Sequence, residues 1–203
     1  MGGTVNDLAL AYQAESTLAV PCAALEEQEW VERARAGDMD AFDAIMIRYE
    51  PRLLRFLTGV VYDAETAREL CQDTFLAAYQ FLPRLRGEVR LSAWLHTIAL
   101  NRARSYHRRR RLRLFLPIEE EYFKSAPVDI GDAIAANELV ERVLARMPKK
   151  YAHALLLQLA SGLSCREIAG VVGCSEGAVK VRLLRAREHF RCLYQEEDRG
   201  PCT

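Results

Sequence analysis

The sequence predicts an all-α protein of two small helical modules joined by an acidic linker. Three observations carry this. Apolar residues recur at helical spacing along most of the chain, with no convincing strand alternation. Charge is segregated into blocks. A stretch rich in Pro, Gly and acids at 114–131 interrupts the helical pattern once.

The 203 residues suffice for one medium domain or two small ones, and half of them are apolar. The formal net charge of zero conceals a layout. Residues 1–83 carry 6 basic and 14 acidic groups. Residues 84–113 carry 10 Arg against one acid. Residues 114–141 hold one Lys and seven acids, and 142–203 hold 11 basic and 6 acidic groups. Two basic blocks separated by an acidic one predict two polyanion-binding surfaces on separate modules.

No apolar run approaches the ~20 residues of a membrane span, so no membrane insertion is expected. Residues 1–25 lack a basic start followed by a long apolar stretch, so a signal peptide is not expected. They read as a flexible extension. Cys22, Cys71, Cys165, Cys174, Cys192 and Cys202 form neither CxxC nor a zinc-finger pattern. Reduced thiols in the cytoplasm, no metal and no cofactor are the expectation.

In the first module, 26–113, a helix is predicted over Glu26–Ala36, stopping at Gly37. The next starts near Asp40, with Phe42, Ile45, Met46 and Tyr49 inward. Pro51 is expected to break or restart it. Leu53, Phe56, Leu57 and Val60 continue the stripe. Asp63 is the predicted N-cap of a helix reaching Leu82, with Ala67, Leu70, Cys71, Phe75, Ala78, Tyr79 and Leu82 inward. Pro83 ends it. Arg84–Leu91 reads as a loop. Ser92 is the predicted cap of a helix that runs into Arg108–Arg111 and Arg113.

The second module, 132–194, opens with Ile134, Leu139, Val140, Val143, Leu144 and Met147 on one helix. Pro148 starts another, over Lys149–Ala160. Ser164–Glu167 fits the capping box S-x-x-E, Gly173 ends the short helix it opens, and Ser175 caps a longer one. That last helix has Val179, Leu183, Ala186, Phe190 and Leu193 inward. Residues 195–203 form a tail.

Leu163–Arg191 thus reads as a helix-turn-helix, with Ile168, Ala169, Val172, Val179 and Leu183 buried. A small residue is needed at Ala169, where the two helices cross. The outer face presents Glu176, Gly177, Lys180, Val181, Leu184 and Arg185, placed for base edges in the major groove. Arg182, Arg187 and Arg191 are placed for phosphates. An amphipathic hairpin with a solvated basic face is the plain alternative. The capping box, the turn Gly and the small residue together favour DNA.

Arg84–Arg113 leads an Arg-rich loop into a helix offering Trp94, His96, Asn101, Ser105, Tyr106 and His107. Such groups neutralise phosphates and stack on or hydrogen-bond unpaired bases; the plain alternative makes Trp94 and Tyr106 core residues. Glu69, Gln72, Asp73 and Leu76 lie at 3/4 spacing on the polar side of the 63–82 helix. Alone, such a face is merely solvated. No catalytic constellation is evident: His96, His107, His153 and His189 have no nucleophile or carboxylate partner by motif.

The ordered motifs resemble a known family. Gln72-Asp73-Thr74-Phe75, Ala93-Trp94-Leu95 and Asn101 ahead of the Arg run are similar to region two of extracytoplasmic-function sigma factors. Met147-Pro148, Glu167-Ile168-Ala169, Gly177-Ala178-Val179-Lys180 and Arg185-Ala186-Arg187 resemble region four. The match covers about residues 26–194.

The resemblance implies a non-enzymatic, cytoplasmic initiation factor that binds core RNA polymerase and promoter DNA and is held by an anti-sigma factor. Glu69, Gln72, Asp73 and Leu76 would grip the clamp of the largest subunit. The 84–108 segment, through Arg86, Arg90, Trp94, Asn101, Arg104, Ser105 and Arg108, would read and melt the −10 element. Glu176, Gly177, Lys180, Val181, Leu184 and Arg185 would read the −35 element, with Arg182 and Arg187 on phosphates. The linker would thread the polymerase channel, its carboxylates resembling RNA phosphates. Ala178 stands where Thr is usual, Val181 where a polar residue is common, and Ser105-Tyr106-His107 replaces an Asp-containing triplet. These departures bear on base specificity.

Two rival readings remain open on sequence alone. One is a helix-turn-helix repressor or activator independent of core polymerase, which leaves the Arg84–Arg113 block unexplained. The other is a nucleic-acid enzyme, which needs a metal site that no motif supplies.

Overall fold

The computed structural model describes residues 20–85, 90–113 and 131–198, with side chains over 26–85, 90–112 and 139–197. Residues 1–19, Arg86, most of the predicted linker and the end of the tail lie outside the described residues. Every regular element among the described residues is helical.

Helix α1 covers Val20–Arg35, starting before the expected Glu26. Pro21 stands in its first turn, where a missing N–H costs nothing, and the Ala-Ala-Leu that follows favours helix. Gly37, at φ 94°, turns the chain. Asp38 then serves two neighbours. Its Oδ1 accepts from the backbone N–H groups of Asp40 and Ala41 at 3.0 and 3.3 Å, while Oδ2 takes Arg33 Nε at 2.9 Å. The Arg33 hydrogen bond holds the Asp38 carboxyl below the usual carboxylate range.

Helix α2 runs without interruption over Met39–Val61, so Pro51 does not break it. Proline removes one bond, to the carbonyl four residues back. That carbonyl belongs to Ile47, whose side chain is 76 % exposed, so water can take the place of the lost donor. Buried Tyr49 and Leu53 on the opposite side keep both halves on the core. The Tyr49 hydroxyl donates to Glu27 of α1 at 2.6 Å.

Helix α3, Ala64–Phe81, opens on the expected cap: Asp63 Oδ2 accepts from Thr66 N–H at 2.7 Å. A single 3-10 turn at Leu82–Arg84 absorbs Pro83. Tyr79, expected inward, sits at the rim with its ring edge-on to Phe42. Thr74 and Ala77 are buried instead. The Thr74 hydroxyl is satisfied by the Leu70 carbonyl at 2.7 Å.

Helix α4 covers Leu91–Arg113. It starts two residues earlier than Ser92 capping requires, because Leu91 is drawn into the core. Ser92 falls inside the first turn with its hydroxyl buried and unpartnered.

The second module comprises α5 (Gly131–Arg146), α6 (Lys149–Leu159), α7 (Cys165–Val172) and α8 (Glu176–Asp198). Arg146 forks onto Glu196 and Glu197 at 2.9 and 2.7 Å, tying α5 to the end of α8. The two modules do not stand apart. Helix α7 packs on α4, α6 packs on α2, and one buried cluster runs through both modules.

Candidate nucleic-acid interface

The helix-turn-helix forms as its local signals require. Ser164 accepts from Glu167 N–H, and Glu167 reaches back to the Ser164 N–H at 2.9 Å, completing the capping box. Gly173 ends α7 in the left-handed region at φ 73°, where a side chain is strained. The Ala169 carbonyl accepts from the N–H groups of both Gly173 and Cys174. Ser175 Oγ accepts from Ala178 N–H at 3.2 Å and caps α8. Ile168, Ala169, Val179 and Leu183 are buried as expected. Val171 joins them, whereas Val172 is only half-buried, because α7 presents its 168/171 edge to the core.

Helix α8 leaves Glu176, Gly177, Lys180, Val181, Leu184, Arg185 and Arg187 exposed, and Arg182 half-buried. The cations are not all free. Lys180 Nζ pairs with Glu176 at 2.8 Å, one turn back. Arg187 donates to the Gln158 side-chain oxygen of α6 at 2.8 Å. The Arg185 guanidinium beside the Tyr151 hydroxyl keeps that phenol below its usual range. Lys150 Nζ stands 4.9 Å from the Tyr151 ring centroid. A shallow hollow of about 360 Å³ lies here, lined by Lys150, Tyr151, Gly177, Val181, Arg182 and Arg185 among others. Sequence reasoning missed Tyr151 and Gln158. Both belong to a different helix, and only the packing of α6 on α8 brings them to these arginines.

The first module shows a second cationic face. Trp94, Asn101, Ser105 and Arg108 recur at helical spacing along α4. Asn101, Arg104 and Arg108 are exposed, Ser105 is half-buried, and Arg104 reaches Asn101 Oδ1 at 3.4 Å. Trp94 is half-buried against the core. Arg90 is exposed just before the helix, and Arg86 lies outside the described residues.

His96, expected on this exposed face, is fully buried. Its ring lies edge-on to Phe56, 5.3 Å between centroids. Nδ1 sits 2.7 Å from the Ser92 carbonyl. A carbonyl only accepts, so Nδ1 carries the proton and Nε2 faces the core unpartnered. Burial lowers its pKa to about 4, keeping the ring neutral. His107, also expected outward, is half-buried and donates to the Val60 carbonyl at 3.2 Å.

On α3, Glu69, Gln72, Asp73 and Leu76 are all exposed, and Leu76 presents 58 % of its surface to solvent. Among the described residues no group of His, Cys, Asp or Glu could hold a metal ion, and no helix is long and apolar enough to cross a membrane.

The fold and these faces define a two-module helical DNA-binding protein whose second module is a helix-turn-helix. The family model for Sigma-70 region 2 matches residues 45–113, and that for Sigma-70 region 4 matches residues 137–190. The RNA polymerase sigma-H factor of Pseudomonas aeruginosa is 33 % identical over 175 residues, covering 80 % of this chain and 91 % of that one. The ECF RNA polymerase sigma-E factor of Escherichia coli is 30 % identical over 176 residues, covering 81 % and 92 %.

Two solved structures share the fold at 26 % identity. CnrH in complex with the cytosolic domain of CnrY has a TM-score of 0.64, covering 84 % of this chain and 98 % of that one. The sigma factor RpoE in complex with the anti-sigma factor NepR from Bartonella quintana has a TM-score of 0.65, covering 76 % and 96 %. The chain belongs to the sigma-70 family, in its extracytoplasmic-function group; as a sigma factor it directs promoter recognition and transcription initiation. The repressor reading falls with this membership. Its relatives, being sigma factors, are not enzymes.

Proposed function

We propose a division of labour between the two modules. The 26–113 module docks on core RNA polymerase through Glu69, Gln72, Asp73 and Leu76, at the clamp of the largest subunit. It reads and melts the −10 element through Arg86, Arg90, Trp94, Asn101, Arg104, Ser105 and Arg108. The 132–194 module reads the −35 element through α8, with Glu176, Gly177, Lys180, Val181, Leu184 and Arg185 toward bases and Arg182 and Arg187 toward phosphates. Residues 114–131 thread the polymerase channel. The factor works in the cytoplasm, has no catalytic residue of its own, and is bound by an anti-sigma factor, as RpoE is in its complex with NepR.

The observation that carries this reading is the exposure of three separate faces of two chemical kinds: an acid-amide face on α3 and cation-rich faces on α4 and α8. A core-docking surface and two DNA-reading surfaces need that division. The 18 linker residues, at ~3.3 Å each, reach at most ~60 Å, about 17 base pairs at ~3.4 Å. Run-off transcription with core enzyme is the test. Full-length protein should start transcripts at a defined promoter. A chain lacking about eight linker residues should still bind core but should not initiate. Full activity of that deletion would overturn the two-element reading.

A further inference from the structure

The outermost stripe of α8 is apolar. Gly177, Val181 and Leu184 follow one another at spacings of four and three, on the side of the helix opposite the buried Val179, Leu183 and Ala186. Val181 is 51 % exposed and Leu184 58 %. A Cβ at Gly177 would meet nothing within 4 Å, so the helix backbone is open to close approach there. Cations border this stripe. Lys180 lies on one side, held by Glu176, and Arg185 on the other, beside Tyr151. Lys150 and Arg182 complete the border around the adjoining hollow.

An apolar ridge between cations fits a surface whose walls are anionic and whose floor carries apolar groups. The major groove is such a surface: phosphates line its edges, and its one apolar group is the C5-methyl of thymine. Resting on the reading of α8 as the −35 recognition helix, we propose that Val181 and Leu184 determine specificity by selecting thymine at one or two −35 positions through contact with that methyl. The cations then serve register, and the apolar pair serves sequence. A polar residue at 181 would read a hydrogen-bonding edge instead. Val181 therefore directs this factor to a different base pair from a relative with a polar side chain there.

The test uses holoenzyme and a promoter drawn by that holoenzyme from a pool randomised across the −35 element. Each −35 thymine, on either strand, is replaced in turn by deoxyuridine, which removes the methyl and nothing else. Loss of one buried methyl should weaken binding about fourfold at one or two positions. In Val181→Ala the penalty should vanish at one of these, and in Leu184→Ala at the other, with core binding unchanged because both side chains are exposed. Uniform tolerance of deoxyuridine, a selected −35 element without thymine, or penalties that survive in both variants would overturn the inference. If any of these occurs while other −35 substitutions still weaken binding, the −35 assignment of α8 stands and only the methyl contact fails. Indifference to the whole −35 sequence would overturn that assignment as well.

Discussion

Leu156 of α6 lies directly over Gly59 of α2: a Cβ at position 59 would stand 2.6 Å from Leu156 Cδ2. Gly59 is buried in the last turn of α2. The absent side chain admits a residue of the other module. Two modules held this closely cannot at the same time occupy promoter elements some 17 base pairs, or about 60 Å, apart. Free protein should therefore bind promoter duplex poorly.

Gly59→Phe should wedge the modules apart. The ring has no space beneath Leu156, and overpacking a tight contact costs roughly 1–3 kcal/mol. The expected outcome is a larger radius of gyration by small-angle scattering, with helix content by circular dichroism retained. An unchanged radius would mean that α2 and α6 re-pack around the ring.

Acid should destabilise the fold through two histidines. His96 is buried in the first module, and its pKa is lowered to about 4 by burial. His153 of α6 is lowered to about 4 as well, by burial first and then by the charges of Arg104, Lys149 and His107. In the unfolded chain both titrate near the ordinary value of about 6.5. Their stabilising contribution is complete above that pH, and falls as pH drops toward about 4, since only the unfolded state takes up the protons. The loss reaches about 3 kcal/mol per histidine. Urea midpoints measured across that window should fall with pH. His96→Phe should flatten the fall; an equally steep fall in that variant would place the titration elsewhere.

Ser164→Ala removes the hydroxyl that caps α7 and leaves Glu167 only the backbone N–H of residue 164. A lost N-cap costs typically about 1 kcal/mol. The urea midpoint should drop accordingly, and promoter binding by holoenzyme should weaken with it, because α7 sets the angle at which α8 meets DNA. Unchanged stability would mean that Glu167 alone satisfies the helix start.

Arg185 and Arg187 should differ in kind. Lys180 and Arg185, five residues apart, stand about 140° apart round the helix and flank the bases between them. Arg185→Ala should cost ~1–3 kcal/mol and relax specificity at one −35 position. Arg187→Ala should weaken binding to all −35 sequences alike and reduce the salt slope by about one unit. Tyr151→Phe removes the hydroxyl beside the Arg185 guanidinium, and should show a milder loss at the same base pair as Arg185→Ala. A −35 point-mutant panel read at several salt concentrations separates these outcomes. If Arg185→Ala lowers every panel member equally, α8 rests on the backbone and the groove assignment fails.

What was legible in the sequence was local. Asp63, the Ser164–Glu167 box, Gly173 and Ser175 mark helix ends because capping involves groups within a few residues of one another. The apolar stripes of α2 and α8 follow from helical periodicity alone, as does the exposure of Glu69, Gln72, Asp73 and Leu76. Pro51 was misread because the loss of one bond is local, whereas the burial that outweighs it is not. Ser92 was misread for the same reason, since the pull of the core on Leu91 moved the helix start. His96 was assigned outward because its residue type is polar, although its position on α4 faces Phe56.

Contacts between helices far apart in sequence were decided by tertiary structure alone. Tyr151 on Arg185, Gln158 on Arg187, Arg146 on Glu196 and Glu197, and Leu156 over Gly59 each join separate elements. Periodicity specifies which face of a helix turns inward. It does not specify which neighbour that face meets or at what register, because those depend on the fit of side chains brought together only when the whole core forms.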